Sequence, residues 1–165
     1  MLCKLLKIHL NKNVVTELYD GWKFFYDTKA CDSGWTPFNG HCYYIGNTLI
    51  SWSNSQIQCQ NYGAYVLEIE SVEENMWIIE TFLPRNESDC SEWRYCTVWV
   101  GATDRDIEGT FTWIRNKKEL TYLPWGNGQP DDKKGQDCIR LSPSGKWIDA
   151  NCGDNNQINY VCERN

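Results

Sequence analysis

The sequence predicts an α+β domain, and three observations indicate that class. Two helical signals lie early in the domain, strand-like apolar runs stand at both of its ends, and its late part is rich in loop signals. The chain has 165 residues, of which 41% are hydrophobic and 14% aromatic, and this excludes a disordered or low-complexity protein. A chain of this length buries about 68–70% of its unfolded surface, so a core can form without a metal or a partner.

We divide the chain into an N-terminal arm, residues 1–30, and one domain, residues 31–165. The arm has no clear hydrophobic period, so its structure stays open. It starts like a signal peptide, but lysines interrupt the apolar run, no small-residue cleavage site follows, and no membrane span is seen. Because a chain with nine cysteines is expected to be exported, we interpret this N-terminus as incomplete.

Turn and capping signals predict the first strands and the first helix. Asn39-Gly40 is typical of a hairpin turn and stands between strand-like runs at 34–38 and 42–45. Ser51 is a good N-cap, because its hydroxyl can accept a hydrogen bond from an amide of the first turn. We therefore expect a helix over 52–62, ended by the glycine that follows.

A second helix and three later strands complete the predicted elements. Ser71 begins a capping box for a helix that runs until Pro84. The apolar residues of this helix recur at helical spacing: Val72, Met76, Ile79 and Phe82. Apolar runs predict strands at 98–101, 111–114 and 160–162. We expect Trp99, Trp113 and Trp147 in the core rather than on a sugar-stacking surface, because large aromatic residues are mostly buried.

The nine cysteines are spaced for disulfide bonds rather than for zinc. Zinc sites use paired C-x-x-C or H-x-x-x-H units, whereas this chain has no C-x-x-C and only 2 histidines. We expect eight cysteines to form a disulfide framework in an oxidising compartment, and hence a secreted or extracellular protein. The spacing leaves the connectivity open, because eight cysteines allow 105 pairings.

The remaining composition excludes two classes of function. The net charge of −6 argues against a nucleic-acid partner, which would need a basic face. No Ser/His/Asp set, phosphate-binding glycine loop or zinc triad is visible, so we do not expect an enzyme. A sequon at Asn86 predicts a glycoprotein, with an unused sequon as the alternative.

Short motifs follow one another in order from about residue 31 to residue 163. They are Cys31 and Cys42 around Gly34-Trp35, Ser51-Trp52 before Cys59 and Gly63-Ala64, Trp99-Val100-Gly101 with Thr103-Asp104, Gln129-Pro130-Asp131, Asp137-Cys138, Trp147-Ile148-Asp149 with Cys152, and Tyr160-Val161-Cys162-Glu163. This ordered set resembles a C-type lectin-like domain of the long form. The resemblance implies a C-type lectin-like fold, with two short helices, small antiparallel sheets and a long loop region braced by disulfide bonds.

The resemblance also implies how the cysteines pair. The expected bonds are Cys31–Cys42, Cys59–Cys162 and Cys138–Cys152, which leaves Cys90 to pair with Cys96. The second of these bonds joins the first helix to the last strand, and the third braces the late loop. Cys3 is left over as a thiol for a disulfide-linked oligomer.

Oxygen-bearing side chains crowd the late loop, and calcium prefers such hard oxygen ligands. Composition alone favours a solvated acidic loop. The resemblance instead implies two calcium sites. The auxiliary site comprises the carboxylates of Asp104, Glu108, Asp132 and Asp137. The principal, sugar-binding site comprises Gln129, Asp131, Gln136 and Asp149.

The principal site departs from the family pattern at two positions. The family usually has Glu where this chain has Gln136 and Asn where it has Ile148. Gln136 keeps an oxygen but loses a charge, whereas Ile148 offers neither a ligand nor a hydrogen-bond donor. Gln129-Pro130-Asp131 resembles the galactose-type motif, whose proline we expect to be cis. The loop that follows lacks the aromatic residue that often stacks on galactose.

Two functions follow from the resemblance as hypotheses. The first is a calcium-dependent carbohydrate-binding module of galactose type, whose partner is a glycan or a glycoprotein. The alternative is a C-type lectin-like domain that has lost sugar binding and recognises a protein or a surface, with calcium at the auxiliary site only. Gln129-Pro130-Asp131 and Asp149 favour the first, while Gln136, Ile148 and the missing aromatic residue favour the second.

Overall fold

The structure, a computed structural model, describes residues 31–84, 90, 92–133, 135–153 and 157–165, and describes residues 14–19 and 22–27 by their strands alone. Two compact units share the chain. The first ends at Cys42 and includes Asn165, and the second runs from Tyr43 to Arg164. The domain boundary between residues 30 and 31 stays a prediction. The odd thiol of Cys3 and the sequon at Asn86 both lie outside the described residues.

The first unit begins with two paired strands. β1 (Val14–Tyr19) and β2 (Trp22–Asp27) are antiparallel, with Val14 opposite Asp27. The sequence between them reads Asp20-Gly21, a dipeptide typical of hairpin turns. The arm, whose sequence shows no clear hydrophobic period, therefore contains strand structure.

A second hairpin follows, as its turn signal predicts. β3 (Thr36–Phe38) and β4 (His41–Ile45) flank Asn39 and Gly40, whose φ angles are 47° and 84°. Two consecutive left-handed residues are what a type I′ hairpin turn requires, and glycine adopts this conformation without steric penalty.

Both helices begin at the predicted N-caps. α1 (Trp52–Asn61) and α2 (Val72–Phe82) follow Ser51 and Ser71, whose hydroxyl oxygens accept hydrogen bonds from amides three residues later at 3.4 and 3.2 Å. α1 ends slightly before its predicted limit, because the chain turns into the left-handed conformation at Gly63, where φ is 65°. In the described part of the chain, neither helix has the length and apolar character needed to cross a membrane.

The buried face of α2 includes a polar side chain, while two of its apolar side chains are exposed. Val72 and Met76 are 50% and 55% exposed, whereas Asn75 is buried. The amide of Asn75 donates to the carbonyl of Gly145 at 3.0 Å and accepts from the indole N–H of Trp147 at 3.1 Å. The predicted helix is confirmed, and at this position a hydrogen-bonded amide, rather than an apolar side chain, fixes α2 to the late part of the chain.

A mixed sheet forms the rest of the second unit. The strands of this sheet that lie wholly within the second unit are β5 (Tyr65–Val66), β6 (Val98–Thr103), β7 (Thr112–Trp113), β8 (Cys138–Leu141), β9 (Trp147–Ala150) and β10 (Asn159–Arg164). Their order is β10–β6–β8–β9, with β5 paired to β10 and β7 paired to β6. β6 and β10 run parallel, while the pairs β6–β8 and β8–β9 are antiparallel. The α+β class is confirmed, and the parallel pair makes the sheet mixed rather than antiparallel throughout.

Tryptophans fill the core between the helices and the sheet. The side chains of Trp52, Trp99 and Trp147 are fully buried, and Trp113 is 3% exposed. The indole N–H groups of Trp52 and Trp99 donate to backbone carbonyls at 2.8 and 2.9 Å. These bonds matter because a buried donor without a partner costs about 1–3 kcal/mol. The predicted core role of Trp99, Trp113 and Trp147 is confirmed.

The described cysteines form the disulfide bonds Cys31–Cys42, Cys59–Cys162, Cys90–Cys96 and Cys138–Cys152. This is the pairing that the family resemblance implies. The second bond ties α1 to β10. The fourth ties the first residue of β8 to the chain just after β9, beside the predicted calcium ligands.

Candidate functional site

The predicted calcium ligands gather where β6, β8 and β9 meet the late loop. Asp104 directly follows β6, Asp137 directly precedes β8, and Asp149 lies in β9. The amide of Asp104 donates to the carbonyl of Asp137 at 3.3 Å, which joins the first two strand ends. The remaining ligands come from the turn after Asp104 and from the late loop: Glu108, Gln129, Asp131, Asp132 and Gln136.

The auxiliary site brings carboxylates together. One oxygen each of Glu108, Asp132 and Asp137 lies within 4.8 Å of the others. Asp104 is 4% exposed, and its Oδ2 accepts from the amide of Gly109 at 3.0 Å. Oδ1 of Asp104 is buried without a hydrogen-bond partner among the described residues. Because a buried carboxylate oxygen without a donor is unfavourable, this atom fits a cation ligand.

The auxiliary carboxylates raise one another's pKa. Burial is the main cause of the raised pKa of Asp104, and the charge of Asp137 adds to it. The charge of Asp104 is the main cause of the raised pKa of Glu108, and Asp132 and Asp137 add to it. Such repulsion opposes the ionised state, and a divalent cation would remove it.

Asp149 is the centre of the principal site. Its side chain is 1% exposed, and Oδ2 accepts from the backbone amides of Asp131 and Asp132 at 2.8 and 2.6 Å. Oδ1 is buried and has no partner in the described part of the chain. The Asp149 amide donates to Oε1 of Gln129 at 3.2 Å, and its carbonyl accepts from Nε2 of Gln136 at 3.1 Å. The structure therefore brings the Gln129 and Gln136 side chains and the Asp131 backbone into contact with Asp149, while the Asp131 carboxylate bonds Lys133.

Two further positions of the family pattern lie beside Asp149. The Gln129–Pro130 peptide is cis, as the resemblance implies. Ile148 directly precedes Asp149 in β9, so the two side chains leave opposite faces of the strand. Ile148 lines a cavity with Arg140, away from the Asp149 carboxylate.

Sequence reasoning missed two cations at the predicted ligands. Nζ of Lys133 lies 2.6 Å from Oδ2 of Asp131, and Nε of Arg105 lies 3.5 Å from Oδ2 of Asp137. The bond from Lys133 is the main reason that the pKa of Asp131 is lowered. A periodic pattern does not predict the first contact, because it depends on a loop in which Asp132 adopts φ of 42°.

The residues fit calcium unequally at the two sites. The auxiliary site offers four carboxylates, one of them with a buried oxygen that no described donor satisfies. Carboxylates are favoured calcium ligands, and affinity rises with their charge. The principal site offers two carboxylates and two amides, and Lys133 already neutralises Asp131. On this chemistry, the auxiliary site fits the ion better.

Comparisons with known proteins agree with the fold. The family model described as the lectin C-type domain matches residues 48–164. A perlucin-like protein of Mytilus galloprovincialis is 28% identical over 80% of this chain and 81% of its own length. Lectin BRA-3 of Megabalanus rosa is 30% identical over 78% of this chain and 74% of its own length.

A solved structure resembles the chain over a similar span. The carbohydrate-recognition domain of cow CD23, crystallised in the presence of a GlcNAc2Man3 oligosaccharide, is 32% identical. It superposes with a TM-score of 0.68 over 82% of this chain and 95% of that domain. Together with the match of the family model over most of the sequence, this shows that the chain belongs to the C-type lectin domain family.

Proposed function

We propose that this protein is a calcium-dependent carbohydrate-binding module with a galactose-type preference. One ion would be held by Gln129, Asp131, Gln136 and Asp149, and a second by the auxiliary carboxylates. The observation that carries the proposal is Oδ1 of Asp149, which is buried without a described partner in a residue whose backbone the Gln129 and Gln136 side chains contact. The oligosaccharide in the cow CD23 crystals supports sugar recognition by a relative of this domain.

The side chains of the principal site suit the recognition of sugar hydroxyls. A bound calcium ion would supply coordination positions that two adjacent hydroxyls can complete. The Asp131 and Asp149 carboxylates accept hydrogen bonds from hydroxyl protons, and the Gln129 and Gln136 amides both donate and accept. Gln129-Pro130-Asp131 supports the galactose-type preference through its resemblance to the motif of that class.

The four disulfide bonds support an extracellular location for this activity, because such bonds persist in oxidising compartments. The expected partner is a glycan or a glycoprotein. Glycans and glycoproteins are found in that location, so the proposed location and the proposed ligand class agree.

Two observations favour a second candidate function. In this function, the domain recognises a protein or a surface and holds calcium at the auxiliary site alone. The ammonium group of Lys133 donates a hydrogen bond to Oδ2 of Asp131 at 2.6 Å. Ile148 points away from Asp149 and contributes no oxygen to the site. This function requires one bound ion, whereas sugar binding requires an ion at the principal site.

Retention on galactose resin tests the proposal. The wild-type chain is expected to bind in millimolar calcium and to elute with chelator or free galactose, and mannose resin should retain it less. Asp131→Ala removes a principal ligand and should abolish retention. Asp106→Ala is the matched control, because Asp106 is an exposed carboxylate that pairs with Lys117 at 2.8 Å outside both sites. If neither resin retains the wild-type chain, the second function is favoured.

A further inference from the structure

A cavity of about 630 Å³ lies beside β8 and β9, on the face that Ile148 occupies. A short 3-10 turn, Trp93–Tyr95, and the Cys90–Cys96 bond form part of its wall, with Arg140 of β8 on another side. Its volume lies within the range of about 300–1,000 Å³ that small-ligand pockets occupy. None of the predicted calcium ligands is among its described lining residues.

Arg140 presents its guanidinium to this cavity with unused donors. Its central carbon lies 4.5 Å from the centroid of the Trp93 ring, so the aromatic ring covers one face of the cation. Stacking uses the face of a guanidinium and leaves its N–H groups, which lie in the plane, available. Among the described residues, Arg140 forms no ion pair.

The other polar side chains of the cavity wall already have partners. Arg94 pairs with Glu92 at 3.5 Å, and Oγ1 of Thr97 donates to the Trp93 carbonyl at 3.1 Å. Oγ of Ser142 donates to the Lys146 carbonyl at 3.0 Å. Arg140 is therefore the lining group, among those described, with unused capacity to bind a charged ligand.

Arg115 also stacks on an aromatic ring, but its guanidinium has a carboxylate partner as well. Its guanidinium stacks on Tyr65 at 4.1 Å, and its N–H groups also pair with the buried carboxylate of Glu68 at 2.8 Å. Among the described residues, Arg140 has the ring but no carboxylate at ion-pair distance. Burial lowers the pKa of Arg140, and the charge of Asp149 offsets part of this effect. A guanidinium keeps its charge in proteins, so this partly desolvated cation favours an anionic ligand.

We infer that the cavity binds an oxyanion through Arg140 stacked on Trp93. The ligand is a sulfate, phosphate or carboxylate group, either as a small ion or as a substituent of a glycan. The planar fork of N–H groups matches two oxygens of such an anion, and the remaining volume accommodates a sugar-sized body. No predicted calcium ligand lines the cavity, although the charge of Asp149 acts on Arg140, and the inference does not depend on the proposed sugar binding.

Nuclear magnetic resonance titration of the whole chain with sodium sulfate, against chloride at equal ionic strength, tests this inference. The Nε–H signal of Arg140 and the indole N–H signal of Trp93 are expected to shift saturably, while the Nε–H signal of Arg115 stays in place as an internal control. Shifts that do not saturate, or that are equal at both arginines, overturn the inference.

Two variants and one further ligand complete the test. Arg140→Met should weaken sulfate binding at least ten-fold, and Lys118→Met, which removes one positive charge from an exposed position outside both the cavity and the predicted calcium sites, should leave it unchanged. If Arg140→Met does not fold, Arg140→Lys keeps the charge, loses the fork and should weaken binding several-fold. Unchanged affinity in the folded Arg140 variant overturns the inference. N-acetylglucosamine 6-sulfate should bind more tightly than inorganic sulfate if the oxyanion is borne by a glycan, and equally if it is a free ion.

Discussion

The ammonium group of Lys133 lies 2.6 Å from Oδ2 of Asp131, a predicted ligand of the principal calcium site. The contact lowers the pKa of Asp131 and raises that of Lys133, so both groups stay charged around neutral pH. The Lys133 side chain is 77% exposed, so solvent screens this ion pair strongly. Lys133 is therefore a weak internal competitor for the cation.

Lys133→Ala is expected to raise calcium affinity at the principal site by up to about five-fold, because the ion no longer displaces an ammonium group. Calorimetric calcium titration measures this change. Lys117→Ala is the matched control, since it removes the same charge and a short, exposed ion pair, to Asp106 at 2.8 Å. Equal effects of the two variants would show that only net charge matters.

Asp104→Asn is expected to remove most of the stabilisation that calcium gives at the auxiliary site. A ligand at 100 times its Kd stabilises a fold by about 2.7 kcal/mol, and the variant loses the buried carboxylate that the ion needs. In chelator, the variant should be at least as stable as the wild type, because repulsion with Glu108 is removed. Thermal unfolding with calcium and with chelator checks both statements. A variant that keeps the full calcium response would contradict the assignment of Asp104.

Acid is expected to stabilise the calcium-free auxiliary site. The pKa values of Asp104 and Glu108 are raised above their ordinary values of 3.8 and 4.5. Between the ordinary and the raised values, the folded chain binds more protons than the unfolded chain, so these groups make the free energy of unfolding rise as pH falls. In millimolar calcium the trend reverses, because protons displace the ion.

Urea unfolding in chelator, at several pH values from neutral down to the ordinary pKa values of 4.5 and 3.8, measures this effect. The wild type should show a larger gain in unfolding free energy on acidification than Asp104→Asn, which lacks the coupled carboxylate. Identical pH slopes for the two proteins would mean that the auxiliary carboxylates do not repel one another in the folded state.

The Cys138–Cys152 bond is expected to support calcium binding as well as stability. It closes 14 residues, for which chain entropy predicts about 3 kcal/mol, and it lies next to Asp137 and near Asp149. Replacing both cysteines by alanine should lower the free energy of unfolding by about that amount and weaken calcium affinity. The matched control replaces Cys90 and Cys96, which close 6 residues away from the ligands. Equal losses of calcium affinity would contradict a local role of the bond.

The starts of both helices and the Asn39-Gly40 hairpin turn could be predicted from the sequence, because contacts between residues close along the chain determine them. Ser51 and Ser71 cap their helices through hydroxyl–amide bonds three residues away, and Asn39-Gly40 turns the chain through its own left-handed conformations. The strands β8 and β9 were harder to predict. Each has 4 residues within a loop-rich stretch, and they are stabilised by pairing with β6 and with each other rather than by a long apolar run.

The site was predicted by resemblance, position by position, and the structure brings those positions together. What could not be predicted are contacts that depend on tertiary geometry. Lys133 is only two residues from Asp131, but their contact depends on the irregular conformation of the loop between β7 and β8. Arg140 stacks on Trp93, which is distant along the chain, and such residues give no periodic signal of their contact.

Calorimetric titration of galactose tests the central claim most directly. In millimolar calcium, the wild-type domain is expected to bind one galactose with saturable heat. The heat should vanish in chelator, and it should vanish in Asp149→Asn even though that variant still binds calcium at the auxiliary site. The account is contradicted if galactose gives no heat while calcium is bound, or if the heat persists in chelator.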